Sequence, residues 1–143
     1  MNQKTTVQTQ QTVRVALDAR IYDIEIAAGL LAHAGDFIKP LLKRPHVAIV
    51  TDHHVAKYHL ATLQNGLEAM GIASTTTIIP AGENSKSFGR LEQLCGWLLD
   101  EKIERDDCII ALGGGVIGDL TGFAAAIVRR GARFIQILSL IHI

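Results

Sequence analysis

From 13 to 27, apolar residues fall at every second position: Val13, Val15 and Leu17, then Tyr22, Ile24 and Ile26, on either side of Asp18-Ala19-Arg20. A period of two puts those side chains on one face of a strand, and the central turn folds the halves together, so the segment predicts an antiparallel hairpin. The period then lengthens. Leu30, Leu31, Ala34, Phe37, Ile38 and Leu41 follow helical spacing between Gly29 and Leu42, and Pro40 restricts where that helix ends. Val47-Ala48-Ile49-Val50 is a short unbroken apolar run closed by Thr51-Asp52, as expected of a core strand. An amphipathic stretch continues to Met70, with Gly71 as a natural C-cap.

The same unit then recurs. Residues 74–79 are β-branched, Pro80-Ala81-Gly82 turns, and 87–102 carries helical spacing through Phe88, Leu91, Leu94, Cys95, Leu98 and Leu99. Cys108-Ile109-Ile110-Ala111-Leu112 is a third core strand. Gly113, Gly114, Gly115 and Gly118 lead into a helix predicted over 120–130, Gly131 breaks it, and 133–137 starts another strand. Strands alternating with helices predict an α/β fold: a parallel-sheet, Rossmann-like domain preceded by an N-terminal β-hairpin. Right-handed crossovers put helices on both faces and a ligand crevice outside the carboxyl ends of the strands. Asp52, Glu83 and the glycine run all fall at such ends.

Composition narrows the function classes. The chain has 143 residues, 48% of them hydrophobic, enough for one compact domain with little room for a second. Fourteen Lys and Arg against 14 Asp and Glu give a net charge of zero, so there is no basic field for a nucleic acid or an anionic membrane surface. Two cysteines, Cys95 and Cys108, neither staple a secreted scaffold nor build a metal cluster, which fits a reducing cytoplasm. Met1 to Thr12 is rich in Gln and Thr, lacks the pattern of a signal peptide and is expected to be a flexible tail. No apolar run approaches the roughly 20 residues that cross a bilayer.

Gly113-Gly114-Gly115-Val116-Ile117-Gly118 satisfies G-x-G-x-x-G between a buried strand and an amphipathic helix. Glycines let a phosphate approach the backbone, and the free N–H groups of a helix start supply donors at the positive end of its dipole. A tight strand-to-helix turn is the plainer alternative. The run follows the third core strand rather than the first, so it is not an ordinary dinucleotide fingerprint. Asp119 reads either as an N-terminal cap or as a ribose or amide contact. Glu83 and Lys86, three apart in the loop after the second core strand, suit a sugar hydroxyl and a phosphate, although on spacing alone a solvated loop is the reading to prefer. Asp52 divides between capping the next helix and a ribose contact. His53, His54 and His59 lack metal-ligand spacing and read as solvated. Arg130 before Gly131 suits either a helix C-terminus or a substrate phosphate. Cys95 and Cys108 read as small buried hydrophobes, and Trp97 and Met70 as core.

Four segments, 17–31 (LDARIYDIEIAAGLL), 80–87 (PAGENSKS), 111–126 (ALGGGVIGDLTGFAAA) and 130–137 (RGARFIQI), together resemble the amino-terminal part of the 3-dehydroquinate synthase family, in order and at matching spacing. Related polyol dehydrogenases usually have a lysine where this chain has Val116. The resemblance implies a lyase that turns 3-deoxy-D-arabino-heptulosonate 7-phosphate into 3-dehydroquinate and phosphate on the shikimate route, with bound NAD and a divalent metal, zinc or cobalt. It implies that Asp52, Gly82, Glu83, Lys86, Gly114, Gly115, Val116, Ile117, Gly118 and Asp119 line NAD and that Arg130 reaches the substrate phosphate. The chain departs from the family at His54, where asparagine is common, and at Val128, where an aromatic usually stands.

The resemblance also implies a cytoplasmic homodimer with a small-molecule substrate and no nucleic-acid or membrane partner. Family members are more than twice as long, and their helical second domain supplies the metal ligands, one glutamate and two histidines. The expectation is therefore a nucleotide-binding domain over 13–137 that holds neither a metal site nor a catalytic residue and is inactive alone. Leu138-Ser139-Leu140-Ile141-His142-Ile143 matches one translation of the transposase end CTGTCTCTTATACACATC, so 138–143 is expected to be an adaptor-derived tail.

Overall fold

The computed structural model describes residues 11–18, 20–26 and 29–138. Two strands, β1 (Gln11–Leu17) and β2 (Arg20–Ile26), form the expected antiparallel hairpin, which takes in Gln11 and Thr12, two residues earlier than the alternation predicts. Its pairing sets Val13 opposite Ile24 and Val15 opposite Tyr22. On the polar side Arg14 Nε donates to Asp23 Oδ1 at 3.0 Å and Thr12 Oγ1 to Glu25 Oε2 at 2.7 Å. The apolar side stays open: Leu17, Tyr22 and Ile26 are all more than half exposed.

The other four strands, β3 (His46–Asp52), β4 (Ala73–Ile79), β5 (Cys108–Gly113) and β6 (Arg133–Leu138), form one parallel sheet in the order β4-β3-β5-β6. The central pair runs from Val47 opposite Cys108 to Thr51 opposite Leu112. Leu138, first residue of the adaptor match, closes β6 opposite Gly113. Every β5 residue is buried, because side chains on both faces meet helices. Val47, Ile49, Cys108, Ile110 and Leu112 face one apolar cluster with Ala34, Leu63 and Leu67. Ala48, Val50, Ile109 and Ala111 face the other, with Leu94, Leu98, Ile117 and Ala124. Each such Ile or Leu contributes about 1.5–3 kcal/mol by leaving water. The one hydroxyl buried in β3, on Thr51, donates to Leu112 O at 2.7 Å and ties the central strands together.

Three helical expectations change in detail. The helix predicted between Gly29 and Leu42 is broken into a 3-10 turn (Leu30–His33), α1 (Ala34–Ile38) and a second 3-10 turn (Lys39–Leu41). Pro40 has no N–H for a continuing ladder, and a Cβ on Gly35 would lie 2.6 Å from Gly66 O, so backbones meet too closely there for an ordinary helix face. After β3 the amphipathic stretch is helical throughout, as α2 (His53–Val55), a π-helical section (Ala56–Leu60) and α3 (Ala61–Ala69), and Gly71 ends it with φ +74°.

Helix α4 (Phe88–Asp100) stops two residues short of the predicted end, because Lys102 turns with φ +58° and sends Ile103 into the core. Phe88, expected on the apolar face, opens that helix and is 86% exposed. Helix α5 (Gly115–Ile127) starts five residues before the predicted point. Glycine is a poor helix former in isolation, but a Cβ on Gly118 would lie 2.4 Å from Gln136 Nε2 of β6, so close helix-to-strand packing outweighs propensity. The helix ends before Arg129, at φ +48°, and Gly131, at φ +108°.

Candidate functional site at the carboxyl edge of the sheet

The ends of β3, β4 and β5 bring three loops together. Asp52 closes β3, and its Oδ1 accepts the Val55 N–H at 2.8 Å, so its carboxylate is at least partly used as the helix cap that was one of its two readings. His53 and His54, both exposed, stack with ring centroids 4.2 Å apart. His53 is not simply solvated: its Nδ1 accepts the Ala81 N–H of the next loop at 3.3 Å. That contact joins residues 28 apart, and no sequence period could have signalled it.

After β4, Gly82 takes φ +111°, a conformation that side chains disfavour, and Glu83–Ser85 forms a single 3-10 turn. Ser85 is buried and its hydroxyl donates to Pro80 O, which folds the loop on itself. Ser85 was not among the expected site residues; it adjoins Lys86 but carries no distinguishing motif. Lys86 then reaches across to α5, where its Nζ lies 2.7 Å from Asp119 Oδ2. The hydrogen bond and charge of Asp119, with a further contribution from Glu83, raise the Lys86 ammonium above its ordinary value.

The capping alternative for Asp119 does not hold. The residue at the N-cap of α5 is Gly114, which offers no side-chain hydrogen bond, and the first turn carries no acidic residue. Asp119 lies a turn further on, exposed, and faces Lys86. The start of α5 is therefore bare. Gly118 N donates to Gly114 O at 3.0 Å, while the N–H groups of Gly115, Val116 and Ile117 precede the first intrahelical acceptor. A Cβ on Gly114 or Gly115 would meet nothing within 4 Å, so the space beside both glycines at the helix start is open. A phosphate fits such a place: donors converge, the helix dipole favours an anion, and no side chain fills the volume. Ile117 and Gly118 contribute differently. The Ile117 side chain is in the core beneath Gly113, and Gly118 serves the approach to β6.

Arg130 is not brought to this group. Its backbone follows the far end of α5, a helix of 13 residues and so about 20 Å long, and its side chain lies outside the described residues. Burial pushes both thiols up, on half-buried Cys95 and on buried Cys108. Among the described residues no group of three or more His, Cys, Asp and Glu could hold a metal ion, and no helix is long and apolar enough to cross a membrane.

A four-stranded parallel sheet with helices on both faces, and a glycine-lined helix start at its carboxyl edge, defines a Rossmann-like α/β domain. Solved structures share that fold. The 2-deoxy-scyllo-inosose synthase complexed with carbaglucose-6-phosphate, NAD+ and Co2+ superposes with a TM-score of 0.80 at 18% identity, over 90% of this chain and 35% of that one. ValA, the 2-epi-5-epi-valiolone synthase from Streptomyces hygroscopicus subsp. jinggangensis with NAD+ and Zn2+ bound, gives 0.72 at 25% identity, over 87% and 34%. A family model described as 3-dehydroquinate synthase N-terminal matches residues 76–141. The 3-dehydroquinate synthase of Roseobacter denitrificans is 58% identical over 126 residues, 88% of this chain and 34% of that protein. That of Rhizobium etli is 52% identical over 137 residues, 96% of this chain and 36% of that protein. The chain matches the amino-terminal part of 3-dehydroquinate synthases and spans about a third of the length of the curated relatives it matches.

Proposed function

We propose that this chain is the NAD-binding part of a 3-dehydroquinate synthase, a cytoplasmic, homodimeric lyase of the shikimate route. As a whole, that enzyme converts 3-deoxy-D-arabino-heptulosonate 7-phosphate to 3-dehydroquinate and phosphate. The observation that carries the reading is the bare helix start at Gly114 and Gly115, open beside both glycines and supplied with free N–H donors. The NAD pyrophosphate would take the N–H groups of Gly115, Val116 and Ile117. Gly82, with its positive φ, would let the loop backbone pass close to the cofactor, and Glu83 and Lys86 would hold ribose and phosphate. Asp52 would orient the adenosine side from the end of β3, and Asp119 would fix Lys86 while facing the nicotinamide side.

Bound NAD supplies reversible acceptance of hydride from a substrate hydroxyl. This chain's residues bind and orient it; none of those described is assigned a proton transfer to substrate. The described residues do not fit a metal site. In the whole enzyme the zinc or cobalt ligands would come from beyond this segment, and Arg130 would serve the substrate phosphate.

Two assays test the reading. In the complete protein carrying this segment, the heptulosonate phosphate should yield stoichiometric phosphate and 3-dehydroquinate without net NADH release. The chain alone should bind NAD, read by calorimetry, without turnover. NADH accumulating with a polyol substrate would assign the protein to the related dehydrogenases instead.

A further inference from the structure

Few contacts hold the loop of Gly82, Glu83 and Lys86 in front of the glycine start. Ser85 closes the loop on Pro80, and Lys86 bridges to Asp119. Another tie comes from the neighbouring strand end, where Ala81 N–H donates to His53 Nδ1. That acceptor exists only on a neutral imidazole carrying its proton on Nε2; a doubly protonated ring would set one N–H against another. The His53 ring is exposed to solvent. The His54 ring lies beside it, centroid to centroid 4.2 Å. The charged and titratable residues on the elements that meet His53 are Asp52 and His54 on its own side, Lys57, Tyr58 and His59 on the π-helical section that continues its helix, and Glu83 and Lys86 on the loop. Of these, Asp52 is turned to the Val55 N–H and Lys86 to Asp119.

We infer that His53 is a positioning residue for the nucleotide loop, and that protonation of its imidazole releases Ala81 and weakens nucleotide binding as pH falls. The inference rests on the nucleotide reading above and deepens it, because it couples that site to pH through a residue that need not touch the cofactor. The loop contact itself is present without any ligand, so it can be measured without one.

The first experiment follows the Ala81 amide in proton–nitrogen spectra of the full chain between pH 8 and pH 5, with no NAD present. Its resonance is expected to move with the midpoint of the His53 ring. It should stay fixed in His53→Asn, whose side-chain oxygen accepts at every pH. NAD titration comes second. The wild-type Kd should rise about threefold to tenfold from pH 8 to pH 5.5, the range one hydrogen bond supplies. His53→Asn should bind near the wild-type level without that rise, and His53→Ala should bind at the weakened level throughout. His54→Asn should keep the dependence, because the Ala81 contact is made by His53. An Ala81 amide indifferent to pH, or a rise that persists in His53→Asn, overturns the inference. A chain that binds no NAD at either pH defeats the nucleotide reading instead, and the Ala81 titration still decides the loop contact.

Discussion

The two ends of the sheet solve opposite problems with similar residues. At the amino end, Arg44 grips Asp107 through two hydrogen bonds, the Nε one at 2.6 Å, and also donates to Lys102 O. Asp107 is 3% exposed and takes the Glu104 N–H as well, so this buried carboxylate finds all its partners within the chain, although His46 Nδ1 at the start of β3 is left without one. At the carboxyl end the Lys86–Asp119 pair stands in water, with Asp119 62% exposed, beside a helix start whose first donors are left unmatched. A closed network specifies the fold, whereas an open one leaves binding capacity for something outside the chain. The helix starts differ in the same way: α2 and α4 begin on Asp52 and Ser87, which accept backbone N–H bonds, and α5 begins on Gly114, which cannot.

The contrast breaks most sharply if the bare start is given a cap. Gly114 has φ −89° and open space, so Gly114→Asp fits without strain and places a carboxylate where the pyrophosphate is proposed to sit. NAD affinity should fall more than about a hundredfold while the Tm holds or rises slightly, since an N-cap Asp is at least as favourable as Gly. Calorimetry and thermal melts of the same variant read both quantities. At the other end, Asp107→Ala should cost about 2 kcal/mol, read by urea unfolding, because it leaves Arg44 and the Glu104 N–H without their partner. NAD affinity of the folded fraction should not change.

That pair also carries a pH signature. Burial raises the Asp107 carboxyl, but the Arg44 hydrogen bond and charge and the Glu104 N–H outweigh it, and its net position is below the ordinary carboxylate range. A carboxyl depressed in the folded state adds stability that is fully present above its unfolded value, about pH 4, and is lost as pH falls through the lower folded value. Acid unfolding of wild type should therefore lose stability in that window more steeply than Asp107→Ala does.

Smaller effects sharpen the distinction further. Lys86→Met should weaken NAD binding about tenfold, the scale of a charge-assisted hydrogen bond, and leave the melting temperature unchanged within error because its pair is exposed. Ser87→Ala removes an ordinary cap from α4 and should cost about 1 kcal/mol of stability with unaltered NAD affinity.

Much of the sheet was legible because its strands are short apolar runs, and 108–112 can be little else when both faces meet helices. The hairpin's pairing was equally plain, yet alternation identifies an apolar face without showing whether anything covers it, and Leu17 and Tyr22 are exposed. Helix limits were harder. Propensity argued against Gly115 and Gly118 as helical residues; Gly118 lies against Gln136 of β6, a contact no sequence period signals, and Gly115 has open space beside it. Of the site, the glycine run and the Glu83–Lys86 spacing could be read from local chemistry. The Lys86–Asp119 and Ala81–His53 contacts could not, since they join loops 33 and 28 residues apart whose meeting depends on strand order. Arg130 suited a helix C-terminus or a substrate phosphate beside Gly131, and the family position pointed to the phosphate, but its backbone lies beyond the other end of α5.

The most direct test is a map of amide shifts across the chain as NAD is added. The bare-start reading predicts the largest movements at Gly115, Val116 and Ile117, with Gly82 to Lys86 next, while the first turns of α2 and α4, already capped by Asp52 and Ser87, move little. Saturable binding that leaves Gly115, Val116 and Ile117 unmoved would contradict it.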